Sequence, residues 1–406
     1  MGQKFDPAQA LRDVQHFGEE GGVVPAIDPA VTSTFLNPDD MERVFRGELQ
    51  GCYLYSRHSN PTVMAFGKKL AAMEGMPQAF GVSSGMAAIS SALLQLLMGG
   101  GHILCSRTVY GGTWALLNNV FPRLGIQTTF VDPMDMEQWR QAIRPDSKVI
   151  FTETLSNPLL AAPDLKALSA LAKEHSLKLV VDNTFTPALI APGQLGADVV
   201  VYSCTKYISG SSDLIAGAIV SSEEFIGELM DVNQGVVMLQ GPVMDARIAY
   251  ELYTRLDHLP LRMKAHSQAA QHLAERLVEA QVEGLIYPGL KTHPQHELLK
   301  SMLHPEYGFG GMMTLDLGSL DRALYLARRL QEEKFGLFAV SLGFTRTLMS
   351  CPAASTSSEI PQEEQKAMGL SPGLLRLSLG LCGNHEVMSE RFLKCYKETF
   401  TNSAPP

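Results

Sequence analysis

Clusters of positive charge are missing from this chain. Its 33 Lys and Arg stand against 42 Asp and Glu, a formal net charge of −9, and no Lys/Arg run stands out. That excludes nucleic acid as the expected partner, because a phosphate backbone is gripped by clustered cations. No run of about 18 apolar residues occurs, so no membrane span is expected. The start lacks a cationic segment followed by an apolar stretch, which excludes the usual export signal. The six cysteines (Cys52, Cys105, Cys204, Cys351, Cys382, Cys395) show no C-x-x-C spacing. They read as reduced thiols, not bridges or zinc ligands, and favour a cytoplasmic location. In HPQH the pair His293 and His296 has no accompanying carboxylate motif, so no metal is expected. Aromatics are scarce at 7%, yet 45% hydrophobic and 18% charged residues exclude a disordered chain.

What is present is an α/β pattern. The 406 residues suggest two or three structural units. Residues 1–57, interrupted by Gly21, Gly22, Pro25, Pro29 and Pro38, read as an irregular arm. From 58 to 251 short β-rich runs alternate with helical ones: AFGVSS (79–84), HILCS (102–106), TTFVD (128–132), VIFTET (149–154), KLVVDN (178–183), DVVVYS (198–203) and GAIVSS (217–222). Near-continuous apolar strands separated by helices such as 86–97 and 165–176 predict a mostly parallel sheet covered on both faces. An amphipathic stretch from Met244 to Ala280, kinked at Pro260, carries the chain into a smaller C-terminal α/β domain, 252–406, with strands at 312–318 and 374–380.

Chemistry in parallel sheets gathers at the C-terminal ends of strands. Three features sit there. Gly85 in SSGMAA lies at a strand–helix turn, where free amides favour an anion. Asp182 follows four apolar and basic strand residues in KLVVD, and Lys206 follows VVVYS together with Ser203 and Thr205. Each alone reads as tight packing, a cap or a solvated side chain. Together, an anion cradle, a strand-end carboxylate and a strand-end lysine are the parts a pyridoxal phosphate site needs. The amine forms the Schiff base, and the carboxylate keeps the ring nitrogen protonated so that the ring accepts electrons.

The strings YLYSRHSNPTV (53–63), SSGMAAIS (83–90), YGGTWALL (110–117), SNP (156–158), VVDNTF (180–185), LGADVVVYSCTKYISG (195–210) and LLRLSLG (374–380) carry a resemblance that runs through nearly the whole chain. They resemble the pyridoxal-phosphate enzymes of cysteine and methionine metabolism, the cystathionine γ-synthase-like family. Within it, residues 287–300, 307–318 and 341–378 are most similar to plant-type methionine γ-lyases. The resemblance implies an aminotransferase-like fold (fold type I) and a homotetramer, a dimer of dimers with shared active sites.

Carried over by position, the resemblance makes Lys206 the Schiff-base lysine and Asp182 the partner of the ring nitrogen. Gly85, Met86, Ser203 and Thr205 would hold the phosphate, Tyr110 would stack on the ring, and Asn157 would bond its phenolic oxygen. Tyr55 and Arg57 would reach a neighbouring subunit's phosphate, while Arg376, supported by Ser341, would clamp the substrate carboxylate. Lys206 and Tyr110 would move protons. The implied activity is γ-elimination from L-methionine, a sulfur amino acid, giving methanethiol, 2-oxobutyrate and ammonia. Open alternatives are γ-replacement (O-acetylhomoserine sulfhydrylase or cystathionine γ-synthase), cystathionine γ-lyase, and a non-catalytic regulatory protein that holds the cofactor. The substituent is expected to meet Phe344, Met349 and Gly112. Arg346 stands where many relatives have Glu; facing the site, it would favour a substrate with a distal anion.

Overall fold

The computed structural model describes residues 4–16, 21–46, 48–49, 51–355 and 357–401. Seven strands, β1 (Gln78–Val82), β2 (Gly101–Ser106), β3 (Ile126–Val131), β4 (Ser147–Glu153), β5 (Lys178–Asp182), β6 (Val199–Ser203) and β7 (Gly217–Ser221), make one sheet in the order β1-β7-β6-β5-β4-β2-β3. Strands β3, β2, β4, β5 and β6 run parallel, and β7 is antiparallel to both β6 and β1. Every strand expected from the apolar runs forms, within a few residues of its expected bounds.

Successive side chains on a strand point to opposite faces, and the core shows it. Ile150, Val181 and Val200 join one hydrophobic cluster, with Phe66 and Leu70 of helix α1 (Pro61–Glu74). Phe151, Val180 and Val201 join the other, with Ile89 and Leu93 of helix α2 (Gly85–Leu96). Two residues beyond Phe151, Val180 and Val201 come Glu153, Asp182 and Ser203, at the strands' C-terminal ends. The period of two therefore sends all three to the α2 side of the sheet. That one phase relation positions the site.

The linking helices are α3 (Leu165–Glu174), α4 (Ala246–Leu256) and α5 (Leu259–Glu279). The expected kink at Pro260 is instead a break at Asp257 and His258, and Pro260 sits in the first turn of α5. The first turn suits proline because its missing N–H has no intrahelical partner there. Residues 1–57 are not irregular throughout: short helices span Pro7–Asp13 and Asp39–Phe45. The first is capped by Asp6 Oδ1, which accepts from Ala8 N at 2.9 Å.

A second sheet has five strands, β8 (Leu285–Ile286), β9 (Met312–Asp316), β10 (Leu337–Phe338), β11 (Leu348–Ser350) and β12 (Leu374–Ser378), ordered β10-β11-β12-β9-β8. Leu375 and Leu377 pack into a third cluster with α5, α6 (Leu320–Glu332) and α7 (His385–Thr401). Alternation then turns Arg376 away from that cluster, toward the large sheet.

Candidate active site

A cavity of about 330 Å³ opens between the two sheets. Its walls include Gly85, Met86, Tyr110, Asn157, Asp182, Ser203, Thr205, Lys206, Ser341 and Arg376, so residues spread over most of the chain meet in one place. Tyr55 and Arg57 do not line it. Tyr55 is largely exposed, and Arg57 Nη1 donates to Met238 O at 2.9 Å.

One end of the cavity is built for an anion. Ser84 caps α2, accepting from Ala87 N at 3.0 Å, which leaves the amides of Gly85 and Met86 without intrahelical acceptors. A Cβ on Gly85 would lie 2.6 Å from Ser203 Cβ, so only glycine lets β6 close against this helix start. With the hydroxyls of Ser203 and Thr205 alongside, this cradle fits a phosphate group.

Lys206 reaches across to the small sheet, its Nζ donating to Ser341 Oγ at 2.8 Å. The supporting loop is closely fitted: Gly343, at φ +78°, would bring a Cβ within 2.6 Å of Tyr207 N. Ser341 itself holds φ 95°, a strained value for a residue with a side chain, next to the reactive amine. Burial, reinforced by the Arg376 charge, brings the Lys206 amine down to about 8. That leaves it far more free base at neutral pH than a solvated lysine.

Arg376 is 2% exposed. Its Nη1 donates to Asn157 Oδ1 at 2.9 Å and its Nη2 to Ser341 O at 3.0 Å. Burial lowers it to about 10, which still leaves a cation at neutral pH. A buried guanidinium facing a cavity, with neutral partners only, is suited to an incoming carboxylate.

Asp182 is buried and raised to about 6 by that burial, against the pull of hydrogen bonds from Thr184. Beside it lies a carboxyl the sequence reading missed. Glu153 is the register partner of Asp182 across β4 and β5, lines the cavity, and is pushed well up by burial and then by Asp182. The available signal was the one that marked Asp182, an ionisable side chain ending an apolar strand. Of the two, Asp182 is the carboxyl that carries charge at neutral pH, and a cationic ring nitrogen beside it would be stabilised. Tyr110 also lines the cavity, 38% exposed, with its hydroxyl pKa raised by burial and then by Glu359.

The three residues expected around the substituent do not line the cavity. Met349 is fully buried in the small-sheet core, on the face of β11 shared with its register partner Leu377 and opposite to the face of Arg376. Phe344 and Gly112 are also absent from the walls, whose apolar members are Met86, Ile89, Leu155, Phe185, Ile215, Val340 and Leu342. Arg346 is exposed and lies outside the cavity.

Residues 10–390 match the Cys/Met metabolism PLP-dependent enzyme family. The chain belongs to that family. It is 46% identical to a methionine gamma-lyase of Arabidopsis thaliana over 96% of this chain and 90% of the relative. An L-methionine gamma-lyase of Fusobacterium nucleatum subsp. polymorphum is 38% identical over 88% and 90%. Among solved structures, a putative O-acetylhomoserine (thiol)-lyase from Campylobacter jejuni superposes with a TM-score of 0.88 at 26% identity, covering 97% of this chain and all of that one, and carries N'-pyridoxyl-lysine-5'-monophosphate. Pyridoxal phosphate is therefore the cofactor, the chain is an enzyme, and the aminotransferase-like fold expected from the motifs is the one observed.

Proposed function

We propose that the protein is an L-methionine γ-lyase, releasing methanethiol, 2-oxobutyrate and ammonia. The observation that carries this is the charge of the cavity walls. Lys206 and Arg376 are the cations among them, and both are committed, one to the cofactor and one to the substrate carboxylate. Arg346, which would be needed to read a distal anion, is exposed and outside the cavity. What remains around the substituent is apolar, as a thioether methyl requires. The likeness to two methionine γ-lyases points the same way.

Pyridoxal phosphate supplies the electron sink that makes the α- and β-protons of an amino acid removable. Gly85, Met86, Ser203 and Thr205 would hold its phosphate, and Asp182 would pair with its ring nitrogen. Tyr110 would stack on the ring, and Asn157 would bond its phenolic oxygen. Arg376, with Ser341, orients the substrate carboxylate so that the α-hydrogen faces the Lys206 amine. The Lys206 amine, held low in pKa by burial, would take that proton and relay it. Tyr110, whose raised pKa keeps it protonated, donates a proton to the departing sulfur. Tyr55 and Arg57 complete the phosphate site of a neighbouring subunit, which makes the working unit at least a dimer within a homotetramer. The reading also keeps 1–57 as an arm, 58–251 as the cofactor domain and 252–406 as the C-terminal domain, in a cytoplasmic enzyme.

A substrate screen tests the proposal. L-Methionine is expected to yield 2-oxobutyrate and methanethiol, with weaker turnover of homocysteine or O-acetylhomoserine. If methionine is inert while O-acetylhomoserine plus a thiol gives a replacement product, the enzyme is a sulfhydrylase.

A further inference from the structure

Glu153 holds more of the cavity together than its place at a strand end suggests. Its Oε1 accepts from the backbone N–H of Tyr110 at 2.7 Å, and its Oε2 from the backbone N–H of Asn157 at 3.0 Å. Those two segments are otherwise separate, one following β2 and the other following β4. From Asn157 the bonding continues through Arg376 to Ser341, and from Ser341 Oγ to Lys206 Nζ. One carboxyl group thus sits at the head of a continuous hydrogen-bonded wall that runs from the ring-covering tyrosine to the reactive amine.

We infer that Glu153 is a positioning residue: its two oxygens set the spacing between Tyr110 and Asn157, and through Asn157 the placement of Arg376. The geometry is specific to a carboxyl group. Both contacts need an acceptor, and a Gln side chain offers one acceptor oxygen and an NH2 group that cannot accept from an amide N–H. An Asp is one methylene short and cannot span both amides. Burial makes the fault costly, because an amide N–H left without a partner in the wall loses water as an alternative. Backbone drift at Tyr110 then misplaces the ring above the reacting carbon. A displacement on the order of 1 Å costs roughly 10²-fold in rate.

The inference rests on the site reading above, so its test includes a measurement that needs neither cofactor nor substrate. Hydrogen–deuterium exchange, read by mass spectrometry on the cofactor-free protein, should show faster exchange in peptides covering Tyr110 and Asn157 in Glu153→Gln, with the rest of the sheet unchanged. The cofactor-loaded variant should stay folded and bind pyridoxal phosphate at a modestly lowered melting temperature, yet lose roughly 10²-fold in kcat, with KM moving far less. Unchanged exchange at both peptides overturns the clamp. Faster exchange with normal kcat overturns its positioning role. Faster exchange in a protein whose wild type turns over no amino acid leaves the clamp standing and overturns the site reading instead. Should Glu153→Gln fail to fold, Glu153→Asp is read by the same measurements.

Discussion

Arg376 Nη1 donates to Asn157 Oδ1 at 2.9 Å across 219 residues of sequence, joining the small sheet to the loop that follows β4. The group read as the substrate clamp and the group read as the cofactor's phenolic partner are thus bonded to each other before either meets its ligand. Three of the five guanidinium N–H donors remain for a substrate carboxylate while Asn157 Oδ1 and Ser341 O keep theirs, and the Asn157 NH2 group remains to donate to the cofactor. The bond thus holds the substrate clamp and the cofactor's partner in one fixed relation.

A first prediction concerns the fork geometry of Arg376. Lysine keeps the charge but is a single point donor and cannot bridge Asn157, Ser341 O and a carboxylate together. A hydrogen bond to a charged group contributes about 1.5–3 kcal/mol, so Arg376→Lys should raise KM for methionine roughly 10- to 100-fold. Steady-state kinetics and the dissociation constant of a non-reacting carboxylic acid inhibitor check it; an unchanged KM would remove Arg376 from the clamp role.

The Lys206 amine should announce its environment without any substrate. Only the neutral amine attacks an aldehyde, and burial first, then Arg376, lowers its pKa to about 8. Uptake of pyridoxal phosphate by the cofactor-free protein should therefore accelerate as pH rises toward 8 and level off above it. Arg376→Ala removes a repelling cation, raises the amine's pKa, and should move that rise to higher pH. Borohydride reduction and peptide mapping should place the pyridoxyl group on Lys206. Lys206→Ala should lose at least the ~10²–10⁴-fold that a positioned general base contributes.

Tyr55 and Arg57 lie outside their own chain's cavity, with Arg57 5.6 Å from the centre of the Tyr55 ring. If they serve a neighbour, Arg57→Ala damages the adjacent site and Lys206→Ala its own. Chains of the two variants, dissociated and reassembled together, should recover part of the activity that each homogeneous protein lacks. Verified mixed dimers with no recovered activity would count against shared sites.

The large sheet was legible in the sequence because its strands are buried on both faces and so appear as unbroken apolar runs. Lys206, Asp182 and Gly85 were legible as polar or small residues ending such runs. The short strands β8, β10 and β11 were not, since two- or three-residue strands carry no period. Glu153 ends the run VIFTE as Asp182 ends KLVVD, but its partners are backbone amides of two separate loops, which no sequence displays. Met349 was misassigned for a different reason: nearness in sequence to Ser341 says nothing about which face of a three-residue strand it takes.

Discrimination among γ-substituents should follow from where the charges are not. Arg376 and Ser341 bind a carboxylate that every amino acid carries, so selection falls to the apolar walls, where one methylene is worth only about 1–3 kcal/mol. A succinyl or phosphoryl group would bring a second anion into walls already holding the Asp182 carboxylate, with both lining cations committed elsewhere. Such a substrate should be handled poorly. Arg346, exposed and outside the cavity, should not alter this: Arg346→Ala should keep kcat/KM for methionine within about two-fold, the range expected of an exposed side chain without a role. The decisive comparison is the same variant assayed on O-succinylhomoserine with a thiol. If wild type uses that substrate well and Arg346→Ala abolishes the use, the loop bearing Arg346 closes over the site during turnover, and a γ-replacement enzyme selective for an acylated substrate is the correct reading.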